Sequence, residues 1–85
     1  MDENTVLKEI REYVVENFLL GDEEDEFSDS ESFLESGLID STGILEVIAF
    51  LEETYEIAID DEEMIPENLD SVDRVARFVV SKKEL

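Results

Sequence analysis

Between Asn17 and Asp73 the chain carries twenty Asp or Glu residues and no Lys or Arg. No other feature constrains the fold as much. A block of one sign repels itself, so whatever it forms should tighten with salt or divalent cations. The six basic residues lie towards the two ends, at Lys8, Arg11, Arg74, Arg77, Lys82 and Lys83, and the net charge is -20 over 85 residues. That balance argues against nucleic acid or an anionic membrane as a partner and for a basic protein surface. The plainer alternative is a solvated acidic surface kept for solubility, but a soluble domain seldom needs so one-sided a middle.

Despite the charge, 42% of the residues are hydrophobic, which suits a folded chain. The length allows one small domain, residues 1–85, with a modest core, and a monomer is the expected state. No apolar run approaches a membrane span and no signal-peptide pattern opens the sequence. The absence of cysteine rules out a disulfide framework and fits a cytoplasmic home. Independent catalysis finds no machinery. Without histidine there is no Ser-His pair, and the G-x-S-x-G elbow is missing. Lys8, the lysine nearest Ser41, is far away in sequence. No phosphate-cradling glycine loop and no zinc-ligand cluster appears. The acidic stretch from Asp22 to Glu35 has no mid-loop glycine where a calcium-binding EF-hand needs one, so only weak, nonspecific divalent binding is expected and no metal site.

Periodicity gives an all-α reading. Leu7, Ile10, Val14 and Phe18 repeat at helical spacing, with Asn4 or Thr5 as cap, Gly21 as stop, and Val6, Tyr13, Val15 and Leu19 widening the apolar face. Asp22–Glu26 opens a long acidic connection with a turn expected around residues 31–35. Phe27, Phe33, Leu34, Leu38 and Ile39 are its expected anchors on the core. A second helix runs from Ser41 to Tyr55 with Ile44, Ile48, Leu51 and Tyr55 on its inner stripe. Ile57-Ala-Ile59 is too short for a sheet and reads as a buried connector. Residues 60–65 make a short helical turn that Pro66 stops. After an inward-pointing Leu69, a last helix starts at Asp70 or Ser71 and buries Val72, Val75, Ala76 and Val79, with Lys82 and Lys83 at its negative end. The architecture expected is a small four-helix bundle of three main helices and one short one.

The most informative stretch is Glu35-Ser-Gly-Leu-Ile-Asp-Ser-Thr-Gly43 and the helix that follows it. Asp40 is a good N-cap, because its carboxylate accepts from the unpaired amides of the first turn. Ser41 then occupies the first helical position with its hydroxyl towards solvent, where the helix dipole favours a phosphate ester. A serine there is by itself ordinary helix chemistry. On the outer face Glu46, Glu52 and Glu53 stand beside Val47 and Phe50. These last two suit the core as well as they suit a docking surface for a basic partner.

Residues 33–59 resemble the acyl carrier protein family, whose signature is Asp-Ser leading an acidic, apolar-patterned helix. Gly37-Leu-Ile-Asp-Ser-Thr-Gly43 carries the Asp-Ser, and Phe50-Leu-Glu-Glu-Thr-Tyr-Glu-Ile57 is similar to the family's Leu-Glu-Glu-x-Phe-x-Ile. Element order, acidic loop and length extend the likeness over nearly the whole chain. The resemblance implies that Ser41 accepts 4′-phosphopantetheine from coenzyme A through a Mg²⁺-dependent phosphopantetheinyl transferase. The arm's thiol would hold cargo as a thioester, and in a chain without cysteine it would be the one thiol present. Enzymes that transfer or modify the acyl group would dock through basic patches on the acidic helix.

Thr42 and Gly43 depart from the Leu and charged residue usual in carriers of fatty-acid synthesis, which puts that role second. Gly-Leu-Ile-Asp-Ser-Thr-Gly is closer to the Gly-Leu-Leu-Asp-Ser-Met-Gly of D-alanyl carrier proteins. The implied role is a specialised carrier loaded with an acyl or aminoacyl group by an AMP-forming ligase. Gly43 weakens the first helical turn by up to about 1 kcal/mol relative to Ala and is expected to leave room for the arm or a partner's backbone. The large interior side chains favour a small cargo held outside the bundle. A reading of another class is an acidic adaptor or nucleic-acid mimic that binds a basic protein and carries nothing.

Overall fold

The structure, a computed structural model, describes residues 2–18 and 28–84. The expectations for Leu19, Gly21, Phe27 and the acidic run Asp22–Glu26 lie outside those residues. Among the described residues every regular element is helical, as the periodicity predicts. Three long helices form the body: α1 (Glu3–Phe18), α3 (Ser41–Tyr55) and α5 (Val72–Lys83). Two four-residue helices, α2 (Phe33–Ser36) and α4 (Pro66–Leu69), and a 3₁₀ turn at Asp61–Glu63 lie in the connections. The Cα radius of gyration is 11.9 Å. That matches the roughly 12 Å expected of a folded domain of this length.

Helix α1 is capped two residues earlier than Asn4 and three earlier than Thr5 would place it. The Asp2 carboxylate accepts from the Asn4 amide at 3.1 Å and the Thr5 hydroxyl at 3.3 Å, while its carbonyl accepts from Val6 N. Asp outcompetes its neighbours because its charged acceptor also meets the positive end of the dipole. The helix buries Val6, Ile10, Val14 and Val15, with Leu7, Tyr13 and Phe18 half-buried along its edges. Its inner face meets α5, whose Val72, Val75, Ala76 and Val79 have no exposed surface. Glu3 shares a cleft with Arg77, Val80 and Glu84, so the two helices run antiparallel. Ser71 caps α5 by accepting from Arg74 N at 3.1 Å, and Lys82 and Lys83 sit in its last turn.

The connections hold by backbone and carboxylate hydrogen bonds rather than by bulk. Arg11 of α1 meets Asp29 at 2.7 Å, and the Asp29 carbonyl accepts from Asp73 N at 2.9 Å. Phe33 is fully buried, but Leu34 is 47% exposed and does not anchor the loop as expected. A four-residue helix has only one inward direction, and Phe33 takes it. Pro66 does not merely stop a helical turn. It opens α4 at the first position, where its missing N–H is not needed. Leu69 points inward as predicted, at 3% exposure; of the connector expected to be buried only Ile59 is, at 7%, with Ile57 half-buried and Ala58 exposed.

Candidate functional site

The start of α3 is fixed from both sides. Gly37 closes α2 in the left-handed region (φ 75°), with its N–H donating to Leu34 O. The chain then turns inward, with Ile39 1% exposed and its N–H donating to Phe33 O at 3.2 Å. One residue later Asp40 caps α3, accepting from Gly43 N at 2.7 Å. Ser41 and Thr42 follow as the first helical residues, both exposed. The Ser41 hydroxyl therefore stands in solvent at the positive end of a fifteen-residue helix whose anchor is a buried isoleucine two residues earlier. Such a hydroxyl fits a covalently attached phosphodiester: it is accessible, and the dipole favours an anion there.

Gly43 is not open space for an arm or a partner. It is buried, and a Cβ at this position would stand 2.7 Å from Ile39 Cγ2 and 2.9 Å from Phe18 Cε1. The glycine is required by the chain's own packing, because it lets the helix start sit down on Ile39 and the end of α1.

The face of α3 also differs from its sequence reading. Val47 is 1% exposed and belongs to the core, so it is withdrawn from the docking surface. Phe50 is withdrawn as well. The Tyr13 ring stacks on it with centroids 3.9 Å apart, and the Tyr55 ring meets it edge-on at 6.3 Å. Glu52 is half-buried and accepts from Ile59 N at 3.1 Å, tying the helix to the following connector. Glu46 and Glu53 are exposed. With them stands Leu45, 60% exposed, which the sequence reading did not single out. Its signal was a position adjoining Ile44 and Glu46 but outside the inner stripe. The outward face is therefore Leu45, Glu46, Ala49 and Glu53, all exposed.

Tyr13 closes the edge of this region by donating from its hydroxyl to the Glu46 carbonyl at 3.2 Å. Burial and then the nearby Glu46 charge push the pKa of the phenol above its ordinary value. Two clefts flank the start of the helix. One is apolar, about 90 Å³, and is lined by Leu34, Ile44, Met64, Ile65, Pro66 and Leu69, with Asp70 at its edge. The other is open and more polar, between Asn17, Phe18, Leu38, Ile39, Thr42 and Glu46.

No helix among the described residues is long and apolar enough to cross a membrane. No curated protein matches the chain. The family model for the phosphopantetheine attachment site matches residues 8–79, most of the chain, with the whole of α3 and the greater part of α1 and α5. Members of that family are non-catalytic carriers, worked on by enzymes that handle the acyl cargo. The chain belongs to the phosphopantetheine attachment-site family, an acyl carrier protein-type helical domain that bears covalent 4′-phosphopantetheine.

Proposed function

We propose that Ser41 is the attachment point and that residues 1–85 act as one carrier domain. In this reading a phosphopantetheinyl transferase joins the Ser41 oxygen to the phosphorus of the phosphopantetheine half of coenzyme A, breaking the pyrophosphate bond; the adenosine 3′,5′-bisphosphate half leaves, the hydroxyl proton is lost, and a phosphodiester remains. An AMP-forming ligase then loads an acyl or aminoacyl group onto the arm's thiol, and the thioester is presented in the cytoplasm to enzymes with basic docking patches. The observation that carries the reading is the exposed Ser41 hydroxyl directly after the Asp40 cap, in a chain of this family. Leu45 with Glu46, Ala49 and Glu53 supplies the docking face: an apolar contact for affinity beside acids that steer a basic partner. The Thr42-Gly43 pair after the serine favours a specialised carrier over one of primary fatty-acid synthesis.

Intact mass tests the assignment. Incubation with coenzyme A, Mg²⁺ and a broad-specificity transferase should add one phosphopantetheinyl group to the wild type and none to Ser41→Ala. Modification of the Ser41→Ala protein would move the attachment point elsewhere. No gain on folded wild-type protein with two different transferases would favour the acidic-adaptor reading.

A further inference from the structure

The few cations of this acidic chain are gathered on one side. Helix α5 carries four of them against one acid, and no other element among the described residues has more cations than acids. The contacts of α1 show how its own charges divide. On one flank Glu9 accepts from the Tyr55 hydroxyl and Tyr13 donates to the Glu46 carbonyl, so that flank faces α3. On the other, Arg11 meets Asp29, whose carbonyl takes the Asp73 amide at the head of α5. Lys8 lies three residues before Arg11 and shares its flank, because side chains three apart on a helix are neighbours. Arg77 lines the cleft between the two helices with Glu3 and Glu84, and Arg74 stands one turn before it.

Four cations and four acids are therefore interleaved along the α1–α5 face. The α3 side presents Glu9, Glu46 and Glu53 with no cation among the described residues. Arg74 and Arg77 are both exposed. Arg74 reaches only the Pro66 carbonyl, at 3.3 Å, and Arg77 makes no hydrogen bond or ion pair among the described residues. Both present their charge to whatever approaches. At an ionic strength of about 0.15 M, charges are screened beyond about 8 Å, and the molecule measures 37 × 25 × 20 Å. An approaching surface therefore feels the face it meets more than the net charge of -20. Since α3 and α5 bury their apolar stripes in the same core, their exposed sides point in different directions. A basic surface is drawn to the acids of α3. At the balanced face it gains nothing overall and meets two arginines of its own sign.

We infer that the α1–α5 face turns basic partners away, with Arg74 and Arg77 as the residues that do so, and that partners are thereby confined to the side of the carrier that bears Ser41. This rests on the reading above, in which partners present basic surfaces and act at Ser41. The acidity of the chain then supplies the attraction, and the placing of its few cations supplies the orientation.

The test is the steady-state kinetics of phosphopantetheinyl transfer by the broad-specificity transferase at about 0.15 M salt, with the mass gain of the wild type verified first. An Arg74→Glu/Arg77→Glu variant makes the chain more acidic and leaves α3 untouched. A carrier docked on the wrong face occupies the enzyme without reacting, so kcat and the apparent KM should fall together while kcat/KM holds. If the reversed face binds as well as α3 does, half the complexes are idle and both constants drop about twofold. Arg74→Lys/Arg77→Lys keeps the charges and should keep the wild-type constants. A KM that falls at constant kcat would overturn the proposal in favour of net charge alone. A KM that rises would make the face a docking surface for the transferase, and unchanged constants would leave it without a role. Nuclear magnetic resonance reads the same property without a change in α5. Unlabelled transferase added to ¹⁵N-labelled Ser41→Ala protein should move amide resonances of α3 and leave those of Arg74 and Arg77 in place; movement of the latter would overturn the proposal. Failure of the wild type to gain mass would remove the Ser41 assignment, and with it the inference.

Discussion

Helices α3 and α5 are built alike and used differently. Both are amphipathic, both open on a side-chain cap, Asp40 and Ser71, and both bury five residues. In α5 the remaining charges also serve the helix. Asp73 stands in its first turn, Lys82 and Lys83 in its last, and Lys82 reaches Glu63 at 2.8 Å. In α3 they do not. Its first turn has no acid and its last turn no base; Glu52 and Glu53 crowd the negative end instead, where they oppose the dipole. The helix then stops on Glu56 in the left-handed region (φ 54°), where glycine is usual. Glu52 is excused by its bond to Ile59 N. Glu46 and Glu53 have no such structural use. Glu46 and Glu53, with an exposed Leu45 beside them, are what the docking face proposed above would use, while α5 and α1 form the frame.

The contrast is most easily broken in the core. Leu51 of α3 and Val75 of α5 are both fully buried. Leu51→Ala should cost about 2–5 kcal/mol by chemical denaturation. That is a large part of the 5–15 kcal/mol typical of a domain, so the working helix leans on the frame as heavily as the frame leans on itself. A loss below about 1 kcal/mol would mean that α3 is only loosely docked.

Gly43→Ala comes next. Contacts at 2.7 and 2.9 Å set an overpacking cost of about 1–3 kcal/mol against a helix-propensity gain of up to about 1 kcal/mol. Net destabilisation is expected, with displaced Ile39 and Phe18 resonances. Net stabilisation would show that Phe18 yields freely.

Glu56→Gly should move the other way, raising stability by about 1 kcal/mol through relief of the left-handed conformation. In a domain of this size that corresponds to a melting temperature higher by roughly 4–8 °C. The smallest stability effect sharpens the comparison most. Glu53→Gln should stabilise by about 0.3–1 kcal/mol, because it removes a charge from the wrong helix end. It should also slow association with a basic partner and flatten the salt dependence of that rate. Equal partner association in wild type and variant would remove Glu53 from the docking face.

Alkaline titration probes the seam between frame and working helix. Tyr55 donates to Glu9 Oε1 at 3.0 Å. Burial, followed by that hydrogen bond and the Glu9 charge, raises its pKa well above the ordinary value, and that of Tyr13 is raised as well. Both folded-state values lie above the unfolded one. Their contribution is therefore complete below pH 10 and is lost as the pH rises beyond it. Since the chain has two tyrosines and no tryptophan, phenolate absorbance reports both directly. It should appear only above pH 10, together with loss of helix. Phenolate forming below pH 10 in folded protein would show the rings to be better solvated than their contacts indicate.

Much of this was legible in the chain. The 3-4 spacing of Val72, Val75, Ala76 and Val79 found the frame. The Asp40-Ser41 pair found the head of α3, because capping is local chemistry that needs only a few consecutive residues. Misreadings came where the partner of a residue lies far away in sequence. Val47 and Phe50 suited the core and a docking surface equally from the sequence; the fold buries Val47, and α1 lays Tyr13 over Phe50. The cap of α1 was a local miss instead: Asn4 and Thr5 looked like caps because any polar residue before an apolar stripe does, and Asp2 just upstream outcompeted them.

By itself, then, the sequence determined the helical class, the site of the exposed serine and the one-sided charge, all of which follow from periodicity and local hydrogen bonding. The tertiary structure decided which flank of α3 faces water, what a side chain at position 43 would meet, and that Asp70 ties α2 to the end of α4. Those depend on which atoms of distant segments, Phe18, Ile39, Tyr13 and Ser32, arrive at the same few ångströms of space, and no local pattern encodes that.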